Sequence, residues 1–297
     1  MSVNVKYKNN SIAELTDTGT KTLKTAGKYC EADIVVENTK DGGATITDGI
    51  IVKARDAEGL ATSIDVYGSE VYYRQFYSGS QYTAGEFDGW NNVQTVNLVS
   101  ATKIGKFGMG AMQQLHTITG LENVIELVNN AFYYSGTKSS GFNFVAHNCT
   151  KISGSAFEGS GVLEADCPNV TTLENGAFQN CSKLISAKFP KISKLGQYSA
   201  RMFKGCTALT TAEFGSIGYP ITSKADDSPF VGCTQANLTI TAFVRGNFVD
   251  ALLANFRDGA TNATIIIKAA EATTYNGTEY AAGDTIVTST VETGGTT

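Results

Sequence analysis

The fold of this chain is decided by the octapeptide Ala177-Phe178-Gln179-Asn180-Cys181-Ser182-Lys183-Leu184, which returns as Met202-Phe203-Lys204-Gly205-Cys206-Thr207-Ala208-Leu209. Each copy runs into a stretch that alternates polar and apolar residues, Ser186 to Phe189 in the first copy and Thr211 to Phe214 in the second. Such alternation is typical of a strand with one buried face. The recurrence predicts an array of repeats, each of which contributes a short strand.

The same phrase recurs, with drift, along the middle of the chain. Its six copies are marked by the residues Met112, Phe132, Phe157, Phe178, Phe203 and Phe230. The steps between these positions fall in or near the range of about 20 to 29 residues that leucine-rich repeats show. A second apolar landmark, an Ile or Val usually preceded by Lys or Asn, falls at Ile104, Val124, Ile152, Val170, Ile192 and, more loosely, Ile217. Two landmarks per repeat predict two buried layers beneath a parallel sheet.

The recurring phrase resembles the BspA-type leucine-rich repeat, in which Ala-Phe is followed by Cys three residues later, then by Leu and a short strand. The resemblance covers roughly half of the chain and implies a β-rich α/β solenoid, which we place at residues 101–242. Two copies depart from the phrase. Leu115 takes the place of the cysteine in the first copy, and an insertion from Ser135 to Gly141 follows Ala131-Phe132, which leaves the strand register of that copy open.

The cysteines follow the repeat rather than a disulfide framework. Cys181, Cys206 and Cys233 each lie three residues after a phenylalanine, and Ser135 and Ser160 take the same place in two other copies. Since serine can replace cysteine there, the position predicts a small buried side chain and not a disulfide partner.

The regions before the array have a different pattern. Residues 1–40 predict a small N-terminal β unit or an attachment arm, and residues 44–100 predict a β-rich N-terminal cap region. The stretch from Val5 to Ile34 resembles the opening of structural proteins of phages and prophages of gut Firmicutes, which implies attachment to a larger particle. The aromatic block from Val71 to Tyr77, with Tyr82, Phe87 and Trp90, suits capping better than partner contact.

Residues 243–297 predict the closing elements of the array. A helical stripe from Asn247 to Phe256 predicts a C-terminal helical cap, because an open repeat end would expose apolar faces. Thr264 to Lys268 predicts a strand, and Tyr275-Asn276-Gly277-Thr278 predicts a hairpin turn. A Thr-rich tail from about Thr288 predicts mobility.

The sequence offers little catalytic chemistry. Neither His116 nor His147 belongs to a catalytic-triad or zinc-ligand motif, and no phosphate loop, HExxH or paired CxxC motif occurs, so we expect no cofactor, no metal site and no enzymatic activity. The net charge of -5 and the absence of a basic stripe argue against nucleic acid. The start of the chain has no signal-like apolar core and no stretch predicts a membrane span, so membrane insertion is not expected.

Binding is therefore the expected function, through polar residues that stacked strands present to solvent. We expect a protein or glycan on a cell surface as partner, recognised by a virion- or tail-associated protein. The alternatives are a bacterial cell-surface BspA-like adhesin and, more remotely, a carbohydrate-active enzyme, and the sequence does not indicate the oligomeric state. The candidate partner-binding residues are Thr117, Thr119, Glu164, Asp166, Ser186, Lys188, Thr211 and Glu213.

Overall fold

In the computed structural model of the chain, the described residues are the backbone strands between residues 3 and 71, followed by 93–98, 101–192, 201–217, 228–235, 237–245, 248–257, 260 and 262–291. The predicted roles of residues 72–90 and of the tail after residue 291 lie outside these residues. Val71, the first residue of the aromatic block, is buried.

Among the described residues the secondary structure consists almost entirely of short strands, with one α-helix and a 3-10 turn at Leu121–Asn123. In chain order the elements are β1 (Val3–Lys6), β2 (Ile12–Leu15), β3 (Gly19–Leu23), β4 (Asp33–Asn38), β5 (Lys40–Asp41), β6 (Ala44–Thr45), β7 (Gly49–Arg55), β8 (Ser63–Val66), β9 (Glu70–Val71), β10 (Thr95–Leu98), β11 (Lys103–Ile104), β12 (Thr117–Thr119), β13 (Glu126–Leu127), β14 (Phe142–Val145), β15 (Lys151–Ile152), β16 (Val162–Asp166), β17 (Thr172–Leu173), β18 (Ser186–Phe189), β19 (Thr211–Ile217), β20 (Thr239–Val244), α1 (Val249–Arg257), β21 (Thr264–Ala269), β22 (Thr273–Tyr275), β23 (Thr278–Tyr280) and β24 (Thr285–Thr290).

Most of these strands form three sheets that together make a β-solenoid, while β5 pairs with β6 and β22 with β23 in separate two-stranded sheets. The first sheet has the order β12-β10-β8-β1-β2, the second β17-β15-β13-β11-β9-β7-β4-β3, and the third β14-β16-β18-β19-β20-β21-β24. Within the array each strand pairs in parallel with the strand of the next turn. Strand β12 of the first sheet also contacts β14 of the third, so these two sheets follow one another on the same side of the array.

The third side of each turn is built from the Ala-Phe phrases. Here the backbone itself bonds from turn to turn, since the N–H of Phe157 donates to the carbonyl of Ala177 at 2.8 Å and the N–H of Phe178 donates to that of Met202 at 2.8 Å. Phe203 donates in the same way to Pro229 at 2.8 Å. These bonds satisfy backbone groups that would otherwise be buried without partners, and they set the stacking distance of the coil.

Phenylalanine rings fill the interior beneath this side. The rings of Phe132, Phe157, Phe178, Phe203 and Phe230 stack nearly in parallel, with successive centroids 5.0, 4.8, 5.4 and 5.4 Å apart. All five side chains are fully buried, as are all six Ile and Val landmarks. The two predicted buried layers are therefore present. Parallel rings at this separation add about 0.5–1.5 kcal/mol per pair to the burial of their apolar surface.

The cysteine position of the repeat is a hydrogen-bond donor position. Cys181, Cys206 and Cys233 are buried free thiols, and each Sγ donates to a phenylalanine carbonyl of the preceding turn, at 2.9, 3.0 and 3.1 Å respectively. The Ser135 hydroxyl donates in the same way to the carbonyl of Met109. The interpretation of these cysteines as small buried residues that serine can replace is confirmed.

These thiols are expected to be unreactive in the folded protein. Burial raises the pKa of Cys149 and of Cys233 from 9.0 to about 12, so the folded chain keeps protons that the unfolded chain releases. Their contribution to stability is present below pH 9 and is lost as the pH rises from 9.0 to about 12. On a Cys30→Ser background, we expect a thiol reagent at neutral pH to label denatured protein fully and native protein far more slowly. Equal labelling rates would contradict the burial of these thiols.

The insertion in the Ala131-Phe132 copy is held by a lysine that lies two turns away. Lys183 Nζ donates to the carbonyls of Ser139 at 2.6 Å, Thr137 at 3.1 Å and Gly136 at 3.3 Å. After this loop β14 rejoins the array, with Asn143 opposite Glu164 and a register shift between Phe142 and Asn143. This shift resolves the register that the sequence left open.

The C-terminal segment follows its predicted pattern in part. Helix α1 begins two residues later than predicted and buries Val249, Leu252, Leu253 and Phe256. Strands β22 and β23 form the predicted hairpin, whose turn residues Asn276 and Gly277 have φ of 48° and 80°. The prediction of a mobile tail from about Thr288 is wrong up to Thr290, because β24 pairs antiparallel with β21 over those residues.

Candidate functional site

The outward face of the third sheet carries two aligned columns of side chains. Strands β16, β18 and β19 pair in parallel with no register shift between them, so their corresponding residues lie side by side. Every second residue of each strand points away from the core. The inward row is apolar and fully buried, for example Ala187, Phe189, Ala212 and Phe214. We name the outward side chains of β14, β16, β18, β19, β20 and β21 the third-sheet face.

Six of the predicted candidates lie together on the third-sheet face. One column runs through Glu164, Ser186 and Thr211, which are paired in register. The second column runs through Asp166, Lys188 and Glu213. Glu164 and Lys188 are exposed and the other four are half-buried. The alternation in the sequence therefore placed these six residues correctly, and their role in binding stays a prediction.

The remaining two candidates lie on the neighbouring first sheet. Thr117 and Thr119 are exposed on β12, opposite Thr95 and Asn97 of β10. The Thr119 hydroxyl donates to Asn97 Oδ1 at 2.8 Å. Because β12 contacts β14, these residues extend the same side of the solenoid rather than forming a separate surface.

The third-sheet face is larger than the sequence indicated. Ahead of Glu164 and Asp166 it includes Asn143 and Val145, and 39% of Val145 is exposed. Beyond β19 the columns continue through Thr239, Thr241, Thr264 and Ile266. Asn143 and Val145 were missed because the insertion displaces β14 from its expected place. The residues of β20 and β21 were missed because that region was assigned to the end of the array, although its alternation was visible.

Charge is distributed unevenly along the face. Asp166, Lys188 and Glu213 alternate in sign across strands spaced about 4.8 Å apart, which favours the observed register by a few tenths of a kcal/mol per pair. Toward β20 and β21 the face carries threonine hydroxyls, with Lys268 Nζ 5.7 Å from the ring centroid of Phe243 at its margin. The face thus offers an acidic part and a hydroxyl-rich part.

A tyrosine pair on the Ala-Phe side was not anticipated. Tyr134 is 44% exposed, has φ of 54°, and its ring centroid lies 4.6 Å from that of Tyr133. Partial burial and the nearby Glu158 carboxylate raise the pKa of Tyr133. Left-handed backbone is costly for a bulky residue. The signal was present in the alignment, since the equivalent positions two residues after Phe are Gly159, Asn180, Gly205 and Gly232.

The two histidines lie on the surface. His116 and His147 are both exposed, and His116 Nδ1 lies 2.9 Å from the Thr117 hydroxyl. Among the residues that the structure describes, no three His, Cys, Asp or Glu side chains group as metal ligands, and none of the helices is long and apolar enough to cross a membrane.

The stacked strands, the Ala-Phe turns and the buried cysteine position together define the repeat type. Residues 81–210 match the BspA type leucine-rich repeat region. The match comprises six copies and begins ahead of the copy marked by Met112. It ends before Phe230, although the ring of Phe230 stacks on that of Phe203 and so continues the array. Over these residues the chain is therefore similar to BspA-type leucine-rich repeats, and the described strands form a β-solenoid of about six turns.

No curated protein matches the chain. Among solved structures, the chain is similar to the crystal structure of a T. pallidum leucine-rich repeat protein, TpLRR, with 20% sequence identity and a TM-score of 0.39. That similarity covers 58% of this chain and 82% of TpLRR.

Proposed function

We propose that this chain is a non-enzymatic recognition protein that binds a protein or glycan on a cell surface through the third-sheet face. The observation that carries the proposal is the register of the third sheet, which aligns polar side chains from Asn143 to Thr264 in one continuous column above a buried apolar row. Solenoids use such extended faces for partners. BspA-like repeats commonly occur in surface adhesion or binding proteins, which supports the same reading.

The composition of the face suits a polar partner. Its hydroxyl groups both donate and accept hydrogen bonds, while Glu164, Asp166 and Glu213 only accept them. A partner surface rich in hydroxyl or amide donors would complement this set. Thr117 and Thr119 extend the contact onto the first sheet.

In this proposal the protein is located either on a virion or on a bacterial cell surface. The phage-like N-terminal stretch favours a tail-associated protein, and the BspA-like repeats equally favour a bacterial surface adhesin. Mass spectrometry of particles purified after prophage induction separates the two, because a tail-associated protein remains with the particles. If the protein is absent from purified particles, the bacterial surface adhesin is the remaining alternative.

We also infer that helix α1 helps to close the C-terminal end of the array. Phe256 of this helix contacts Phe230, the last ring of the stack, with centroids 5.3 Å apart, and also lies 6.1 Å from Phe214. Strand β24 then reverses direction against β21, which interrupts the parallel stacking. A terminal repeat needs such a cover because its apolar side would otherwise be exposed.

Charge reversal on the face tests the proposed binding. We expect the double variant Glu164→Lys/Glu213→Lys to bind intact bacterial cells at least tenfold more weakly in flow cytometry, since one or two strong contacts dominate an interface. Glu122→Lys carries the same type of charge change at an exposed position outside the face and should bind normally. Equal binding by all variants would assign recognition to another surface.

A further inference from the structure

A polar groove lies at the corner where the second-sheet strands lead into the Ala-Phe turns. It is formed by three successive turns, following β13, β15 and β17, and has a volume of about 580 Å³. Its walls include the side chains of Asn129, Ser155, Thr172, Glu174 and Asn175. The groove is on a different side of the solenoid from the third-sheet face.

The groove exists because one turn lacks a side chain that its neighbours have. Asn129, Gly154 and Asn175 occupy equivalent places, each two residues after the paired strand residues Leu127, Ile152 and Leu173. A Cβ on Gly154 would lie 3.4 Å from Asn129 Nδ2 and 3.2 Å from the Asn175 carbonyl. Gly154 therefore places no side chain between the turns of Asn129 and Asn175, whose backbones are about 10 Å apart at the usual strand spacing, and a Cβ added there would be tightly packed.

Backbone hydrogen bonds fix the floor of this groove. The Gly154 N–H donates to Glu174 Oε2 at 3.0 Å, and the Ser155 N–H donates to the Asn175 carbonyl at 3.0 Å. Asn130 N–H donates to the Gly154 carbonyl at 3.3 Å. The carboxylate is thus oriented by the backbone before any ligand arrives, which lowers the entropic cost of binding.

The lining selects the chemistry of a ligand. Asparagine amides donate and accept hydrogen bonds, the Ser155 and Thr172 hydroxyls do the same, and the Glu174 carboxylate only accepts. No lysine or arginine is among the described residues that line the groove, so among them a phosphate, sulfate or sialic acid would meet a carboxylate without a compensating cation. A Ca²⁺ ion usually takes six to eight oxygen ligands with several carboxylates, and Glu174 is the one carboxylate among those described residues.

We propose that the groove binds an uncharged pyranose unit of a glycan. The vicinal hydroxyls of such a ring are donors and acceptors at once, which matches an amide on each side, two hydroxyls on the wall and an oriented acceptor on the floor. The groove volume of about 580 Å³ accommodates a single ring above these turns. The protein would then hold a sugar at this corner independently of whatever contacts the third-sheet face.

Saturation-transfer NMR on the full chain tests this proposal. The probes are methyl glycosides of glucose, galactose, mannose and N-acetylglucosamine at about 10 mM, because a single ring should bind with a dissociation constant on the order of 1 mM. We expect at least one neutral glycoside to give a signal, which Asn129→Ala and Asn175→Ala each weaken about tenfold. Gly154→Gln, which places a long side chain into the groove, should abolish it.

Control measurements distinguish loss of binding at the groove from effects on the third-sheet face and from misfolding of a variant. Asn143→Ala removes an exposed amide from that face and should leave the glycoside signal unchanged. Circular dichroism and thermal unfolding of each variant show whether it is folded, and Asn129→Ala serves where Gly154→Gln does not fold. The proposal is overturned if no neutral glycoside binds, if binding survives the groove variants, or if only Ca²⁺ or sialyllactose binds there.

Discussion

Replacing Phe178 with alanine is expected to lower the free energy of unfolding by about 3–5 kcal/mol, which is the usual cost of removing a fully buried phenylalanine. Phe178 lies in the middle of the ring stack, 4.8 Å from Phe157 and 5.4 Å from Phe203 between centroids. Its ring also contacts Phe189 from strand β18, at 5.6 Å. The deletion therefore opens a cavity between both buried layers and removes ring contacts with two neighbouring turns.

Urea unfolding followed by circular dichroism measures this effect. Phe243→Ala is the matched control, because Phe243 is a half-buried phenylalanine on the third-sheet face and should cost about 1 kcal/mol. In a repeat array each turn contacts only its neighbours, so loss of the central ring is expected to uncouple the two halves and broaden the transition. If Phe178→Ala and Phe243→Ala lower the free energy of unfolding equally, the ring stack does not stabilise the fold as predicted.

The stack could be predicted from the sequence because its cause is local and repeated. Each copy brings its own Phe and its own small donor three residues later, so alignment of Phe178 with Phe203 already places one ring above the other. The same reasoning located the outward residues of β16, β18 and β19, since alternation alone decides which side chains leave the core. The exact neighbours follow once the register is fixed.

Features that depend on a difference between copies were harder to predict. The corner groove results from Gly154 standing between Asn129 and Asn175, and this arrangement is visible only after β13, β15 and β17 are paired. Asn143 joins the face through a register shift that compensates for the insertion. Lys183 reaches that insertion from two turns away, a contact for which sequence periodicity carries no signal.

Gly120→Ala is expected to lower the free energy of unfolding by more than about 3 kcal/mol, because it combines a backbone clash with left-handed backbone strain. Gly120 has φ of 80°, and a Cβ there would lie 1.9 Å from the carbonyl oxygen of Leu98 and 2.7 Å from its carbon. Both atoms belong to the backbone of β10 in the preceding turn, so no side chain can rotate away. The chain must instead separate two turns or change the path into the Leu121–Asn123 helix.

Gly277→Ala separates the clash from the backbone strain. Gly277 also has φ of 80°, but a Cβ there would meet no atom within 4 Å, because the residue lies at the tip of the β22-β23 hairpin. Strain alone should cost about 1 kcal/mol in this control, and the excess in Gly120→Ala reports the contact with Leu98. Thermal and urea unfolding of both variants measure the loss of unfolding free energy in each, and the difference between the two losses gives the cost of the contact with Leu98. A loss at Gly120 no larger than that at Gly277 would mean that neighbouring turns separate at little cost, in conflict with a solenoid held together by the backbone contacts between β10 and the turn that follows it.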